Sequence, residues 1–234
     1  MLTFDLSKIE LPDNGILLDL GCGEGRHVFA VMEKFPNIQC VGLDPHMESL
    51  SKSLEGLEYF ESISNNQTSF LSGSAYKLPF KNNTFDLVIC SEVLEHIPDY
   101  PSFLREIQRV LKPGGLFAVS VPRYFPEWVC WQLSDAYHEV EGGHVRIFRA
   151  NDLKQRIQSM NMKFLARHWA HSLHVPYWWL KCLFWDNAEE HFLVKQYHRL
   201  LVWDLMQQPW LTQTLDRLLN PILGKSVVMY FRQP

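Results

Sequence analysis

The chain has 234 residues, enough for one well-buried domain, and its hydrophobic and charged fractions of 47% and 21% are ordinary for a globular protein. A formal net charge of −4 argues against a general affinity for nucleic-acid phosphates. The cysteines are scattered and include no C-x-x-C pair, which favours reduced thiols in a cytoplasmic protein. We recognise no secretory signal pattern, and no apolar run approaches the length of a membrane span.

The first strong pattern is a glycine turn between a strand and a helix. The run 16–20 is apolar apart from Asp19, and Gly21, Gly23 and Gly25 follow before a helical pattern begins. This predicts a buried strand that leads through a tight turn into a helix N-terminus. Glycine permits positive φ and the close approach of a ligand, and the helix N-terminus offers unpaired N–H groups.

Two cofactors bind on turns of this kind. The dinucleotide fingerprint G-x-G-x-x-G requires its third glycine at position 26, where this chain has Arg26. The Asp19 carboxylate would repel a pyrophosphate, whereas it suits a ligand that carries an ammonium group and a sulfonium. A structural turn without a ligand is the remaining alternative.

A second acid closes the next predicted strand. The run 39–44 is largely apolar and ends in Asp44, about 20 residues past the glycine turn, the offset at which an acid accepts the hydroxyls of a ribose. The alternative is a helix cap for the segment that starts at Pro45.

The middle of the chain continues the alternation of strands and helices. A weak third strand at 69–71 precedes the string 73–80, and the apolar run 85–90 fits a central parallel strand. The segment 91–99 follows, and then an amphipathic stripe is stopped by Lys112-Pro113-Gly114-Gly115 before a strand at 116–121. The stripe consists of Phe103, Ile107, Val110 and Leu111.

Taken in order over residues 16–122, these motifs resemble the class I S-adenosylmethionine-dependent methyltransferases, in the type 11 or ubiquinone-biosynthesis-like branch. The resemblance implies an α/β fold: a three-layer αβα Rossmann-like domain with a mostly parallel seven-stranded sheet and an antiparallel last strand. It also implies S-adenosyl-L-methionine as the cofactor, with S-adenosyl-L-homocysteine as the product.

The resemblance assigns the cofactor-binding residues. Asp19 and the glycines hold the methionine portion, Asp44 the ribose, and Ser74 and Ala75 the adenine. The family has an acid where this chain has Ser74, so that the bond to the adenine amino group lacks charge assistance. The full expected set is Asp19, Gly21, Cys22, Gly23, Gly25, Asp44, Pro45, Ser74, Ala75, Cys90 and Ser91.

The acceptor side is expected in residues 123–150, which we interpret as a lid hinged at Gly142-Gly143. His144 follows the glycines and resembles a histidine that faces the acceptor in small-molecule methyltransferases, so that we predict it as the general base. A histidine that caps the loop is the alternative. The further acceptor candidates are His96, Tyr124, His138, His171, His174 and Tyr177.

Residues 171–225 look like a helical insertion between strand six, at 163–169, and strand seven, at 226–231. The insertion is rich in tryptophan, and we expect it to enlarge the core, pack a homodimer or roof the acceptor site. Peripheral membrane contact is a further hypothesis for the stretch Trp178-Trp179-Leu180-Lys181. His168-x-x-His171-x-x-His174 would be scattered by a strand end running into a proline, so we predict no metal site.

Three functions follow from these expectations. The first is methylation of a small molecule, at the oxygen of a sugar or a saccharide-containing lipid, in a single-domain enzyme with residues 16–122 as its cofactor-binding core. The second is carbon methylation of a quinone or isoprenoid ring. The third is a cofactor-binding partner subunit without transferase activity. No basic stripe supports a nucleic-acid partner.

Overall fold

The computed structural model describes residues 2–35, 37–61, 67–74 and 76–234. Within these residues the strands are β1 Ile16–Leu20, β2 Gln39–Asp44, β3 Gln67–Ser72, β4 Phe85–Ser91, β5 Leu111–Pro122, β6 Lys163–Ala170 and β7 Ser226–Arg232. They form one seven-stranded sheet in the order β3-β2-β1-β4-β5-β7-β6. Neighbouring strands are parallel except that β7 runs antiparallel to both β5 and β6. The predicted sheet is confirmed.

Helices cover both faces of this sheet. They are α1 Arg26–Lys34, α2 Met47–Glu61, α3 Tyr100–Val110, α4 Tyr124–Leu133, α5 Ala136–Glu139, α6 Ala150–Gln158, α7 Val175–Leu183, α8 Phe192–Gln207 and α9 Trp210–Leu223. Short 3-10 turns lie at Leu6–Lys8, Leu94–His96, Ser172–His174 and Trp185–Asn187. Side chains of α3 and α6 belong to one apolar cluster, and those of α1 and α2 belong to another. The three predicted layers are therefore present.

Side chains of the central strands alternate between the two faces of the sheet, which explains how two hydrophobic cores form. Successive side chains of a strand point to opposite faces, and a strand covered on both faces is apolar throughout. Leu18 and Val88 pack in the cluster that contains Ile107 of α3, whereas Leu17 packs in the cluster that contains Val28 of α1. The sheet is thus buried on both sides, and its carboxyl edge remains for a site.

Two boundaries differ from the sequence-based expectation. β5 begins at Leu111 instead of Leu116, because Leu111 already pairs with Phe85 before the register shifts. The third strand, β3, begins at Gln67 instead of residue 69 and ends at Ser72; residues 62–66 lie outside the described part of the chain.

The helical segment between β6 and β7 divides into a packed part and an exposed part. Trp178, Trp179 and Trp185 pack around Cys130, Tyr137 and Cys182, which joins α7 to α4 and α5. The half-buried Trp178 and Trp179 therefore do not form the exposed pair on which membrane contact was expected. Trp203 and Trp210 are 48% and 77% exposed. No helix in the described residues has the length and apolar character needed to cross a bilayer.

Candidate active site

A cavity of about 580 Å³ opens at the carboxyl edge of the sheet, where β1, β2 and β4 end. This edge is the usual ligand-binding place in open α/β sheets, and the volume lies in the range of small-molecule sites. The first cavity is lined by Leu20, Gly21, Leu43, Asp44, Pro45, His46, Ser72, Gly73, Ser74, Tyr76, Glu92, Val93, His96, Ile97, Phe103 and Gly142.

The glycine turn after β1 forms one end of the first cavity. Gly21, Gly23 and Gly25 have φ values of +69°, +53° and +81°, which other L-residues rarely adopt. A Cβ at Gly21 would lie 2.4 Å from Val93 Cγ2, whereas a Cβ at Gly23 would meet no atom within 4 Å. The turn is therefore tight at Gly21, which lines the first cavity, and has open space beside Gly23. The Cys22 side chain is buried.

Asp19 lies beneath this turn and is fully buried. Neither of its carboxylate oxygens has a hydrogen-bond partner in the described structure. Burial raises the pKa of Asp19 to about 8, a shift that Arg26 opposes and Asp44 reinforces. His27 Nδ1 is 4.0 Å away, but burial lowers the pKa of His27 to about 3, so the pair carries no positive charge at neutral pH. An unpartnered acid beneath the turn favours a ligand with a cationic group.

Asp44 is fixed at the end of β2 by two backbone donors. Its Oδ2 accepts from the Gly23 N–H at 2.9 Å, and its Oδ1 accepts from the His46 N–H at 2.8 Å. Each oxygen retains a second acceptor direction. The carboxylate is thereby held on the cavity wall with capacity for two ligand hydroxyls.

Two histidines and a buried glutamate form a group of contacting side chains beside the first cavity. His96 lines the cavity, and its ring meets the His144 ring edge to face at 4.8 Å. His144 Nδ1 is hydrogen-bonded to Glu127, which is buried on α4 and also accepts from Trp131 Nε1 at 3.1 Å. His96 Nδ1 contacts the Gly143 carbonyl oxygen at 3.3 Å. Both imidazoles are therefore oriented through Nδ1.

The ionisation of this group follows from burial. Burial lowers the pKa of His96, and His144 lowers it further, so that His96 is neutral and able to accept a proton. Burial disfavours the Glu127 carboxylate, yet the hydrogen bond and charge of His144 lower the pKa of Glu127 overall. Burial, and then the charge of Glu92, raises the pKa of Glu95 well above its usual value.

Comparison with known proteins identifies this arrangement. Residues 18–119 match the family model of a methyltransferase domain. An uncharacterized methyltransferase of Schizosaccharomyces pombe is 39% identical over 116 residues, which is 48% of this chain and 41% of that protein. The sterol 24-C-methyltransferase of Kluyveromyces lactis is 31% identical over 162 residues, 68% of this chain and 40% of that protein. This chain thus spans less than half the length of these relatives.

A solved structure shows the same fold over the whole chain. A Bacillus halodurans protein shares 19% identity with a TM-score of 0.64, over 96% of this chain and 94% of its own. Residues 18–119 of the present chain therefore form a methyltransferase domain, and the chain has the Rossmann-like fold of S-adenosylmethionine-dependent methyltransferases. The matched segment 18–119 contains the glycine turn, Asp44 and the first of the two histidines, His96.

The residues of the domain fit S-adenosylmethionine. The Asp44 carboxylate on the wall of the first cavity has the acceptor capacity that a ribose requires, and the glycine turn with the buried Asp19 beside it is compatible with the methionine portion. At the adenine end, Ser74 lines the cavity and its Oγ accepts from the Tyr76 N–H at 3.3 Å. Ala75, also expected there, lies outside the described residues. When bound, S-adenosylmethionine supplies an electrophilic methyl group on a sulfonium.

The end of β4 is occupied by a residue that sequence reasoning did not single out. Cys90 and Ser91 are buried, and Ser91 Oγ pairs with Ser120 Oγ at 3.2 Å instead of lining the cavity. The next residue, Glu92, lines it with φ +53°, a strained value for glutamate. Its Oε1 accepts from Ser120 Oγ at 2.7 Å. The available signal was an acid directly after a buried strand, as at Asp44.

A second, smaller cavity of about 140 Å³ adjoins the first at Glu92. It brings together residues from distant parts of the chain: Thr3, Arg26, Glu92, His171, His174, Trp178, Lys225 and Ser226. Lys225 Nζ lies 3.9 Å from Glu92 Oε2. His171 Nε2 lies 3.2 Å from Thr3 Oγ1, and burial lowers the pKa of both His171 and His174.

The remaining acceptor candidates lie away from both cavities. His138 stacks on Trp131 at 4.0 Å, and Tyr177 packs edge to face on Trp178 at 5.8 Å. Tyr124 lies against Arg149 in a separate surface depression. Sequence reasoning also did not single out Arg26 and Lys225 for the acceptor side, because single basic residues carry no pattern.

One further cluster has metal-ligating side chains. The ligand atoms of Glu95, His96 and His144 lie within 4.8 Å of one another, so that these three residues could hold a divalent cation. The expectation of no metal site stays a prediction.

Proposed function

We propose that this protein transfers the methyl group of S-adenosylmethionine to a hydroxyl oxygen of a small-molecule acceptor that enters the second cavity. The supporting observation is that Glu92 lines both cavities, so that a donor in one and an acceptor in the other meet at its side chain. Methyl transfer from a sulfonium is an in-line displacement, and the protein's main contribution is to align the reactants and exclude water.

The proposed proton acceptor is the pair of His96 and His144. The hydroxyl acceptor must lose its proton as the new C–O bond forms, and a neutral imidazole is suited to take it. His96 lies on the wall of the first cavity, and His144, predicted as the base, lies behind it with Nδ1 bonded to Glu127. Glu127 stabilises the positive charge that arises when this pair is protonated.

The second cavity suits a polar, hydroxylated acceptor. Trp178 offers an aromatic face, and His171, His174, Lys225 and Arg26 offer hydrogen-bonding groups around it. This combination supports a sugar, or a lipid that carries a saccharide, as the acceptor class.

Carbon methylation of a quinone or another isoprenoid ring is the second candidate. Relatives named as sterol 24-C-methyltransferases and a sterol 4-C-methyltransferase of Caenorhabditis elegans favour it. Such an acceptor needs no oxygen to be deprotonated, so its methylation should depend much less on the histidine pair.

The proposal is tested by incubating the purified protein with labelled S-adenosylmethionine and a cell extract, and identifying the labelled product by mass spectrometry and NMR. A methoxy product supports the proposal, and a C-methyl product replaces it with the alternative. Calorimetric binding of S-adenosylmethionine is measured first; a folded protein that does not bind it would overturn both candidates.

A further inference from the structure

The hairpin of α8 and α9, residues 192–223, presents an apolar face to solvent. On α9, Leu211, Leu218 and Ile222 recur at helical spacing and are 61% to 72% exposed. None of the side chains of α9 is fully buried. Trp203 and Met206 of α8 extend the face to the turn between the helices. Large exposed apolar patches of this kind mark contact sites.

The acidic and basic side chains of the hairpin differ in their exposure to solvent. Its acids point inward: Asp204 is buried and accepts from Thr212 Oγ1, and Asp216 accepts from Ser172 Oγ at 2.8 Å. Its basic residues, Lys195, Arg199 and Arg217, are exposed. The charged residues of the hairpin that are exposed are therefore all basic, although the chain carries a net charge of −4.

This distribution of charge distinguishes between two candidate partners of the apolar face, a second copy of the chain and a lipid surface. In a symmetric dimer the same patch meets itself, so that the three basic residues of one copy would approach those of the other. An anionic lipid surface instead neutralises them and accepts the apolar side chains below the headgroups. Trp203 and Trp210 have the amphipathic rings that prefer the interface between lipid and water.

We propose that the α8–α9 face docks on the surface of an anionic lipid bilayer. The hairpin is fixed to the body of the protein by Asp216, whose Oδ1 also accepts from the Leu173 N–H at 3.0 Å, and by Tyr197 Oη, which donates to the Leu173 carbonyl at 3.0 Å. Docking therefore needs no rearrangement of the sheet. Leu173 lies between His171 and His174, which places the docked surface close to the second cavity.

The test is flotation of the full chain with phosphatidylcholine vesicles, with and without phosphatidylglycerol. We expect co-flotation with the anionic vesicles, weakened by salt, and little with the neutral ones. The double variant Trp210→Ser/Ile222→Ser removes exposed side chains only and should abolish flotation. Replacing Lys195, Arg199 and Arg217 by glutamine should weaken partitioning about fivefold for each residue.

The matched control is Tyr59→Ser, which removes a side chain that is 71% exposed on α2 and should leave flotation unchanged. Circular dichroism of each variant verifies that the fold is intact. Absence of co-flotation with anionic vesicles overturns the proposal. So does a dimer in sedimentation velocity that the Trp210→Ser/Ile222→Ser variant converts to monomer, since the face would then lie between two copies.

Discussion

The two cavities that meet at Glu92 are constructed differently. The first depends on backbone: positive φ at three consecutive odd positions, 21, 23 and 25, and a carboxylate fixed by two N–H donors. The second depends on side chains that come from α1, the 3-10 turn at Ser172–His174, α7 and the start of β7. A site that is formed by backbone conformation tolerates few substitutions. A site that is lined by side chains can bind a different ligand after substitution of those residues.

The largest expected effect tests the base that we propose beside the first cavity. His144→Ala should lower turnover by about 10²-fold or more and leave the Kd for S-adenosylmethionine unchanged, because a base acts only in the transfer step. His144→Asn retains a donor for Glu127, which also accepts from Trp131 and Tyr137, so it should show the same loss of turnover with a smaller loss of stability than His144→Ala. His191→Ala, which removes a ring stacked on Phe184, is the control with normal turnover. Unchanged turnover in both His144 variants would remove the residue from the proposed role.

The next effect compares the two sets of tryptophans in the helical insertion. Trp179 is half-buried and its Nε1 donates to the Pro126 carbonyl oxygen at 3.0 Å. Trp179→Ala should lower the free energy of unfolding by about 2 to 4 kcal/mol, whereas Trp210→Ala should change it by about 0.5 kcal/mol or less. Urea denaturation of both variants measures the contrast. Equal losses would mean that the exposed part of the insertion is also packed.

A smaller effect distinguishes a loss of stability from a loss of cofactor binding at two positions of the glycine turn. Gly21→Ala adds a Cβ that clashes with Val93, and the left-handed backbone adds about 1 to 2 kcal/mol, so this variant should lose thermal stability. Gly23→Ala has the same backbone cost but no clash, and its methyl group projects into the open space. It should therefore weaken S-adenosylmethionine binding in calorimetry more than its loss of stability accounts for. Equal behaviour of the two variants would contradict the proposed approach of the cofactor.

The last effect is the dependence of the protein's stability on pH that arises from the ionisation of Asp19. Its pKa of about 8 exceeds the unfolded value, so between about pH 4 and pH 8 the folded state holds a proton that the unfolded state has released. The contribution of Asp19 to stability is then lost as pH rises, by at most about 1.4 kcal/mol per pH unit. Asp19→Asn, which mimics the neutral acid, should flatten this slope in urea titrations from pH 5 to pH 8. A parallel slope in the variant would show that Asp19 is charged when folded.

Most of the features of the first cavity could be predicted from the sequence, because the residues that form them lie close together along the chain. The acid, the alternating glycines and the helix lie within a few residues, and Asp44 follows at a fixed offset. The sheet could be predicted equally well, since strands that are buried on both faces are apolar throughout. Glu92 was missed although it directly follows a buried strand, because its place on the wall of both cavities depends on a backbone angle and on tertiary packing.

The second cavity could not be predicted in the same way. Arg26, His171 and Lys225 are separated by more than a hundred residues or by several helices, and only the packing of α7 beside the sheet brings them together. The partnership of His144 with Glu127 was likewise hidden, because Glu127 belongs to an aromatic run that predicts only a helix. Patterns report local periodicity, whereas these contacts depend on tertiary structure.

All five cysteines of the chain are free and buried. Burial raises the pKa of Cys22, Cys40 and Cys90, which keeps these thiols protonated and unreactive in the native protein. A single cysteine introduced at an exposed position of the hairpin, such as Met206, would therefore react with a maleimide dye ahead of the native thiols. The wild-type background already permits fluorescence measurement of how deeply that position enters a lipid layer, without prior removal of any native cysteine.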